Sequence, residues 1–565
     1  MVVDLDDEDR AVLDGERGEG ARLAMELVVS LAEVYGAERL VPVKSAQVAG
    51  VSYKNLGDAG LELLEAWADA GARCVVPATL NPAGADLEAW ERLGLDPEFV
   101  LRQRRVVDAY ARMGVEPSCT CTPYLAGNLP RRGDHLAWAE SSAVAFANSV
   151  LGARTNREGG PSSLAAAIVG KTAHFGLHED ANRAPTLLVE VAAPPRTQVE
   201  WGALGRLVGR ARGENVPLFA MPGPRAWNSV ETRPTWDQLK SMGAALATHG
   251  SVALFHVLGV TPEASDPSVV SAWPLGDLPR LEVAEGDLDR SLAEASDGVV
   301  KPDLVAVGCP HASLSELGAL ASLLSPTTRS RGGKKLAIPL WAFTSRKVLR
   351  EAEGSGLAGA IRGAGAELVA DTCVVVAPLE QLGVRSLVTN SAKAAHYCQS
   401  SGMRVGLVDL DECVRVAVTG RLEVATSVVA KGRVLVRGVA EGPALVTRQP
   451  ISFLGGVDPD TGRVVEPRHE LFGEVVTGKV LVFPGGKGST VGSYTIYRMA
   501  KQGTAPAALV AREAEAIVAA GATLAGIPLV DRIERDPTTW IRTGSRVRVE
   551  NGTVRIIGDE EDEGG

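Results

Sequence analysis

Short apolar runs, each ending in a polar loop and followed by a helix-like segment, recur along this 565-residue chain. Examples lie at residues 40–43, 74–77 and 302–313. This alternation of strand, loop and helix predicts an α/β fold. In parallel sheets of this kind, the ligand-binding loops lie at the carboxyl ends of the strands. We therefore expect a large, multi-layer α/β domain over residues 1–420, with its functional side chains in those loops.

The composition of the sequence changes close to residue 420. From residue 428 onward the chain is rich in valine, and glycines separate its short apolar runs. We expect a smaller, β-rich domain over residues 428–558, with the boundary near 415–428. The last residues, 559–565, are mostly acidic, which predicts a disordered tail.

The composition is that of a soluble globular protein, with 45% hydrophobic and 22% charged residues. A formal net charge of −11 argues against non-specific binding to nucleic acid or to acidic membranes. No apolar run approaches the roughly 18 residues that span a membrane. The acidic start lacks a signal-peptide pattern, so we expect a cytoplasmic protein. Seven cysteines favour free thiols or metal ligands over a disulfide framework, and the oligomeric state is left open.

A glycine-rich segment at residues 483–490 lies between an apolar run at 480–483 and a helix-like run at 491–500. Glycines let backbone N–H groups approach a ligand, and a helix N-terminus attracts negative charge. Lys487 adds a cation, and Ser489 supplies a hydroxyl that either caps the helix or is activated beside an anion. The plainer alternative is a glycine turn with Ser489 as its cap. The spacing matches neither a P-loop nor a Rossmann fingerprint, so we set aside nucleotide hydrolysis and nicotinamide chemistry.

Three cysteines, Cys121, Cys309 and Cys373, lie in loops that follow apolar runs. If those strands are neighbours in one sheet, the three thiols converge at one edge. Three thiolates on an iron–sulfur cluster leave one iron open, and an open iron holds a hydroxyl while it leaves as water. Taken singly, each cysteine is more often a small buried apolar residue. Cys119 and Cys398 are alternative ligands.

A charged loop at residues 152–160 contains Arg154 and Glu158 among small side chains. An arginine in such a loop can bind a carboxylate through two parallel hydrogen bonds. The alternative is an ordinary solvated loop. His311 follows Cys309 by two residues in another polar loop, which favours a role for His311 at the same site.

Ordered motifs in both parts of the chain together resemble the aconitase X family, a branch of the aconitase superfamily. In the large part, the resemblance rests on residues 44–53, 79–82, 120–124, 152–160, 308–313, 371–373 and 390–397. In the small part, it rests on residues 452–458, 483–493 and 505–508. The resemblance covers nearly the whole chain. It implies a large catalytic domain and a small swivelling domain, here fused with the large part first.

The resemblance also implies the dehydration of a hydroxy acid at an iron centre, either mononuclear iron or an iron–sulfur cluster. In this superfamily, a serine of the swivelling domain removes the proton next to a carboxylate, and Ser489 matches that serine. Lys487 and nearby backbone N–H groups would stabilise the serine alkoxide that takes this proton, as an oxyanion site does. We expect the iron on Cys121, Cys309 and Cys373. The residues expected to bind the substrate are Ser45, Arg154, Glu158, His311, Gly486, Gly488 and Thr490.

Two substrates are associated with the family. One is cis-3-hydroxy-L-proline, dehydrated to Δ1-pyrroline-2-carboxylate, and the other is mevalonate 5-phosphate. The fused layout favours the hydroxyproline. Gln47 departs from the histidine that is expected at its position in many relatives. Two other classes stay open: a non-catalytic protein that binds iron or a metabolite, and an isomerase that adds the water back.

Overall fold

The computed structural model describes residues 3–211, 215–221, 233–284, 286–330, 336–422, 429–489, 491–533 and 536–557. The chain divides into two compact units, Met1–Leu422 and Glu423–Gly565. Thr490 and the acidic run at 559–565 lie outside the described residues. Both units combine helices with strands, so the α/β prediction is confirmed. In the described parts of the chain, every helix is too short or too polar to cross a membrane.

The first unit alternates helices and strands along its length. Its helices are α1 Asp7–Leu13, α2 Glu19–Tyr35, α3 Tyr53–Asp69, α4 Pro97–Arg112, α5 Ser141–Phe146, α6 Gly160–Val169, α7 Gln198–Ala211, α8 Trp236–Gly250, α9 Pro267–Val270, α10 Asp287–Glu294, α11 Leu314–Ser330, α12 Arg346–Gly354, α13 Leu357–Gly363, α14 Ala392–Ser400 and α15 Leu410–Thr419. Its strands are β1 Leu40–Pro42, β2 Ala46–Val48, β3 Ala78–Leu80, β4 Ala137–Trp138, β5 Lys171–Ala173, β6 Leu187–Val191, β7 Pro217–Ala220, β8 His256–Val257, β9 Arg280–Val283, β10 Leu304–Ala312, β11 Leu340–Thr344, β12 Glu367–Val369, β13 Ser386–Thr389 and β14 Arg404–Leu407.

Three parallel sheets form the frame of this unit. Their strand orders are β3–β2–β4, β8–β7–β6–β9 and β12–β11–β10–β13–β14. A short antiparallel pair joins β1 to β5. Parallel strands carry their functional loops at the carboxyl ends. We therefore expect a functional site among the residues that follow β3, β4, β12 and β13.

Strand β10 is distorted near its end, where Cys309 lies. Its pairing with β11 shifts register between Val307 and Ala312. Gly308 has a φ of +88°, a left-handed conformation that favours glycine. A Cβ at this position would lie only 2.1 Å from the carbonyl oxygen of Phe343. Because only glycine fits, the strand can break its regular ladder here, just before Cys309.

Helix α14 carries Lys393 in its first turn. The Ser391 hydroxyl oxygen caps this helix by accepting a hydrogen bond from the Ala394 N–H at 3.1 Å. The preceding strand, β13, is buried along its whole length. Lys393 therefore enters a buried environment directly after a buried strand.

The structure corrects the strand predicted at residues 74–77. The strand of this region is β3, which begins at Ala78. The Cys74 N–H donates to the carbonyl oxygen of Met113 at 2.8 Å, at the end of α4. The Val75 N–H donates to the carbonyl oxygen of Ala167 in α6 at 2.9 Å. The apolar run is thus bonded to helices, and an apolar pattern alone does not separate these two situations.

The second unit is built on one mixed sheet in the order β15–β22–β21–β17–β18–β19–β20–β16. These strands are β15 Val429–Lys431, β16 Arg433–Val436, β17 Val439–Val446, β18 Val480–Phe483, β19 Ala508–Ala511, β20 Leu529–Asp531, β21 Arg546–Glu550 and β22 Thr553–Ile557. Its helices are α16 Gly492–Gln502, α17 Ala516–Ala525 and α18 Pro537–Trp540. The buried strand β18 and helix α16 flank the glycine-rich segment in the order that the sequence predicts.

Replacing Gly308 by alanine should destabilise the first unit. The new Cβ would have to displace the Phe343 carbonyl, and the left-handed φ adds about 1–2 kcal/mol of strain. We expect the apparent Tm, followed by circular dichroism, to fall by several degrees. Gly318→Ala in α11 is the control, because an added Cβ there has no heavy atom within 4 Å and alanine suits a helix interior. A Gly308→Ala protein as stable as the wild type would contradict the close approach of residue 308 to the Phe343 carbonyl oxygen.

Candidate active site

The three predicted cysteine ligands are neighbours in the first unit, and we call the space around them the cysteine pocket. Cys121 and Cys373 are buried, and Cys309 is partly buried. Burial raises the pKa of the Cys121 thiol to about 12. Burial also raises the pKa of Cys373, and so do the nearby charges of Cys309 and Cys121. The three thiols therefore feel one another, and they stay protonated unless a cation joins them.

Three thiols are a donor set of the kind that iron and iron–sulfur clusters take from proteins. Over the described residues, no group of three His, Cys, Asp or Glu side chains is arranged to hold one ion. A cluster keeps its cysteines further apart, because sulfide ions and several irons lie between them. The donor type of these three residues, rather than a measured geometry, is what fits such a group.

The two alternative cysteines are placed differently. Cys398 is buried on α14, where burial and then the charge of Cys309 raise its pKa to about 12. It therefore borders the same pocket. Cys119 is buried with a φ of +43°. After burial, the charges that shift its pKa are those of Asp371 and Arg346, so Cys119 belongs to a neighbouring ion cluster.

His311 is fully buried, and both of its ring nitrogens have protein partners. Its Nε2 atom lies 2.8 Å from the Thr372 carbonyl oxygen and must donate to it. Its Nδ1 atom then accepts from the Thr120 hydroxyl at 2.9 Å. Burial lowers the pKa of His311 to about 4, so the ring is neutral. In this arrangement neither nitrogen is free for a substrate, and His311 instead holds two loops together.

A buried ion pair between Glu140 and Lys393 borders the cysteine pocket. The Lys393 ammonium binds the Glu140 carboxylate and donates to the Ser142 hydroxyl oxygen at 3.1 Å. The Asn81 side-chain N–H donates to the other carboxylate oxygen at 2.8 Å. Burial alone would raise the pKa of Glu140, but Lys393 and these hydrogen bonds lower it to about 2. Both members of the pair are therefore charged at neutral pH.

Sequence reasoning did not single out Glu140 or Lys393, which lie 253 residues apart. The positive charge of Lys393 acts against burial and lowers the pKa of both Cys121 and Cys309. The sequence contained one local signal for a buried polar residue here. Glu140 begins an apolar run that contains several polar residues, and buried polar side chains need partners.

Gln47 supports this ion pair. It is fully buried in β2. Its Oε1 atom accepts from the Glu140 backbone N–H at 2.8 Å, and its Nε2 donates to the Asn81 side-chain oxygen at 3.3 Å. The residue that departs from the expected histidine therefore orients two members of the Glu140–Lys393 network.

The structure does not bring Arg154 to the cysteine pocket. Arg154 forms a bridge with His135 before β4, whereas Glu140 follows the other end of that strand. At about 3.3 Å per extended residue, His135 and Glu140 are roughly 16 Å apart. The Arg154 guanidinium binds the Asp180 carboxylate and donates to the His178 carbonyl oxygen at 3.1 Å. The guanidinium is therefore engaged by residues 178–180, and Arg154 pairs at the end of β4 opposite to Glu140.

Ser45 and Glu158 also have partners within the protein. The Trp138 indole N–H donates to the Ser45 hydroxyl oxygen at 3.2 Å. The Glu158 carboxylate accepts from the Ser162 hydroxyl at 2.5 Å and from the Thr172 hydroxyl at 2.8 Å. Burial raises the pKa of Glu158. Both side chains hold local structure, and their contact with a substrate stays a prediction.

The glycine-rich loop of the second unit is tied to Glu515 at Gly486 and needs glycine at Gly488. The Gly486 N–H donates to the Glu515 carboxylate at 2.9 Å, and a Cβ on Gly486 would lie 2.1 Å from that carboxylate. Gly488 has a φ of +101°, and its Cβ would lie 2.7 Å from the Ser452 hydroxyl oxygen. The loop is thus held in a shape that exposes the residues after Gly486.

Ser489 is exposed at the end of this loop. Its hydroxyl oxygen accepts a hydrogen bond from the Val491 N–H at 3.3 Å, just before α16. Lys487 is also exposed, and its ammonium pairs with the Glu466 carboxylate at 2.6 Å. Thr490 lies outside the described residues. The N-cap of α16 is Val491, and no side chain among the described residues caps the helix, so the predicted helix cap at Ser489 is wrong, whereas the activated hydroxyl stays a prediction.

Three histidines, His135, His174 and His178, cluster near Arg154. The Nδ1 atoms of His135 and His178 lie 2.9 Å apart, so they share one proton. Arg39 lies 3.3 Å from the Nε2 atom of His174. Burial, followed by the charges of the other two histidines, lowers the pKa of His178 to about 3. A ring pair that is already hydrogen-bonded, among cations, is a poor site for a metal ion.

The depressed pKa of His178 predicts a loss of stability in mild acid. The unfolded chain protonates this ring near its ordinary pKa of 6.5, whereas the folded chain resists protonation down to about 3. The stabilisation is therefore complete above pH 6.5 and is lost as the pH falls toward 3. His178→Gln should flatten the fall in Tm between pH 7 and pH 4.5. His396→Gln, at a more exposed histidine, should flatten it less. Identical pH dependence in His178→Gln and the wild type would exclude this cause.

Four family models match most of this chain. They are the Aconitase X first domain at residues 2–181, the second domain at 185–293, the third domain at 302–419 and the swivel domain at 429–556. The chain belongs to the aconitase X family.

Similar proteins point to the class of enzyme. The phosphomevalonate dehydratase large subunit of Methanothermobacter thermautotrophicus is 48% identical, over 70% of this chain and 93% of that protein. The cis-3-hydroxy-L-proline dehydratase of Pseudomonas aeruginosa is 39% identical, over 74% of this chain and 70% of that protein. The phosphomevalonate dehydratase small subunit of Pyrococcus furiosus is 57% identical, over 22% of this chain and 94% of that protein.

A crystal structure of the holo-form of Thermococcus kodakaraensis aconitase X has a TM-score of 0.65 to this chain at 43% identity. The match covers 74% of this chain and 100% of the Thermococcus kodakaraensis chain. Together with the named relatives, it places this chain among the dehydratases, which are hydro-lyases.

Proposed function

We propose that this chain removes water from a small hydroxy acid, with Ser489 as the base that takes the proton next to the carboxylate. The observation that carries this proposal is the combination, in one aconitase X chain, of a buried three-cysteine pocket and an exposed serine on a glycine-rich loop. The pocket suits an iron centre, and the loop suits a developing negative charge.

A serine hydroxyl acts as a base only if its deprotonated form is stabilised. At Ser489, the Val491 N–H donates to the hydroxyl oxygen and would bond more strongly to an alkoxide. Helix α16 begins at Gly492, so its positive N-terminal end lies close by. Because Ser489 is exposed, its oxygen is open to a substrate.

Lys487 adds a cation to the same loop. Lys487 is exposed and its partner Glu466 is partly buried, so solvent screening at the lysine weakens the pair. Lys487 can therefore exchange Glu466 for an anionic group of the substrate. The bond between Gly486 and Glu515 holds the loop while this happens.

We propose that Cys121, Cys309 and Cys373 hold an iron centre, either an iron–sulfur cluster or mononuclear iron. When bound, such a centre supplies a Lewis acid that polarises the leaving hydroxyl. The chain adds the positive charge of Lys393, which favours the thiolate forms of Cys121 and Cys309.

Mevalonate 5-phosphate is the first substrate that we propose. Its support is the 48% and 57% identity of the two phosphomevalonate dehydratase subunits to the two parts of this chain. Cis-3-hydroxy-L-proline is the second candidate, favoured by the fused layout and by a relative at 39% identity. Both molecules carry the hydroxyl on the carbon next to the one that loses the proton, so the same chemistry serves either.

Ser489→Ala should lose turnover by about 10²–10⁴-fold, the usual contribution of a positioned base, and should keep its iron. Wild type and variant, purified without oxygen, are assayed side by side with mevalonate 5-phosphate and cis-3-hydroxy-L-proline. Mass spectrometry reports the loss of one water. Ser545→Ala, in the turn before β21 of the same unit, controls for the loss of a serine hydroxyl.

Each outcome of this assay separates the alternatives. Wild-type turnover by Ser489→Ala would rule out the serine as base. An iron-bound wild type that dehydrates neither compound would favour a binding protein. Positional isomers of the substrate in the product mixture would favour an isomerase.

Cys309→Ser should lose most of the bound iron, because a serine hydroxyl is a much poorer ligand for iron than a thiolate. Iron, acid-labile sulfide and visible absorbance are measured on protein purified without oxygen. Cys74→Ser is the control, since Cys74 lies outside the pocket and is bonded through its backbone to the end of α4. Equal iron in Cys309→Ser and the wild type would remove Cys309 from the set of ligands.

A further inference from the structure

Two lysines, Lys240 and Lys393, are buried beside the cysteine pocket, and each binds a carboxylate. Lys240 binds Glu316, and Lys393 binds Glu140. A lysine ammonium has three N–H donors, and each one needs an acceptor when it is buried. A buried lysine with fewer than three protein acceptors therefore has an N–H donor left for a ligand.

Lys240 has no donor left. Its ammonium contacts the Glu316 carboxylate, the Asp237 carboxylate at 3.2 Å and the His311 carbonyl oxygen at 3.2 Å. These three acceptors match its three donors. Lys240 is therefore a structural residue that supports the chain just after Cys309.

Lys393 has one donor without a protein acceptor. Its ammonium contacts the Glu140 carboxylate and the Ser142 hydroxyl oxygen, and no third acceptor among the described residues contacts it. The side chain is only 8% exposed, so bulk water does not replace the missing partner. An unmatched donor on a buried ammonium is costly, which points to a ligand that completes it.

The surroundings of Lys393 define where that ligand lies. Lys393 lies in the first turn of α14, two residues after the cap Ser391, and Ser391 also hydrogen-bonds Cys309, so the ammonium borders the cysteine pocket. Burial alone would lower the pKa of Lys393, but Glu140 raises it strongly, and the ammonium stays charged. The Glu140–Lys393 pair is thus neutral as a whole.

Building on the proposed dehydration, we infer that Lys393 is a further catalytic residue, whose free N–H binds the hydroxyl oxygen that leaves the substrate. A hydroxyl adds no charge to the neutral pair. A carboxylate at this place would compete with Glu140 for one ammonium and would bury a second negative charge, which is unfavourable. A charge-assisted hydrogen bond to the leaving oxygen also becomes stronger as negative charge develops on it.

The test compares ligands with and without that hydroxyl. Binding is measured in a Ser489→Ala background, so that the ligands are not consumed. The pairs are cis-3-hydroxy-L-proline with L-proline, and mevalonate 5-phosphate with its 3-deoxy analogue, according to which hydroxy acid the wild type dehydrates. Adding Lys393→Met should reduce the preference for the hydroxylated ligand by about tenfold or more, the usual value of one hydrogen bond to a charged group.

Lys240→Met in the same background is the matched control, because it also removes a buried ammonium beside Cys309. It should leave the preference for the hydroxylated ligand unchanged. If Lys393 had only a structural role, Lys393→Met would weaken both ligands of a pair in parallel. That result, or an equal loss of preference in Lys240→Met, would overturn the inference.

A second variant covers the case in which Lys393→Met does not fold. Glu140→Gln combined with Lys393→Met removes both charges, and a buried pair removed as a whole is tolerated better than a single partner. An unchanged preference in this double variant would also overturn the role of Lys393. Failure of the wild type to dehydrate either compound would instead count against the proposed function, so the two failures are distinct.

Discussion

The ion pair between Glu140 and Lys393 is the interaction on which the site of the first unit depends. It joins the end of β4 to the start of α14, and Asn81 after β3 binds the same carboxylate. Removing one partner of a buried pair leaves an unpaired charge, at a cost of about 3–5 kcal/mol. The pair therefore fixes three loops at once, and it also brings positive charge to thiols that burial would otherwise keep protonated.

The two units place their chemistry in opposite environments. In the first unit, the thiols, His311 and Lys393 are buried, and their properties are set by desolvation and by fixed partners. In the second unit, Ser489 and Lys487 are exposed on a loop whose Gly486 N–H donates to the Glu515 carboxylate. Buried groups suit the binding of a metal centre, which needs stable ligands. An exposed serine suits a group that must reach the substrate.

Features that depend on neighbouring residues could be predicted from the sequence, and features that depend on distant residues could not. The apolar run before Gly486 and the helix after Ser489 were visible because strand, turn and helix signals follow one another. The Glu140–Lys393 pair was not, because it joins residues 253 positions apart. Arg154 is the converse case, a residue that the sequence suggested for the site and whose contacts in the structure lie elsewhere. Its loop has the composition of a binding loop, but composition does not reveal that Arg154 lies beyond the far end of β4.

The most direct test of Ser489 as the base follows the proton itself. A hydroxy acid that the wild type dehydrates is prepared with deuterium on the carbon next to the carboxylate, and its release into water is followed by mass spectrometry. The wild type should release deuterium together with water, and iron-loaded Ser489→Ala should retain both in the substrate. Deuterium release by Ser489→Ala at the wild-type rate would show that another group removes the proton.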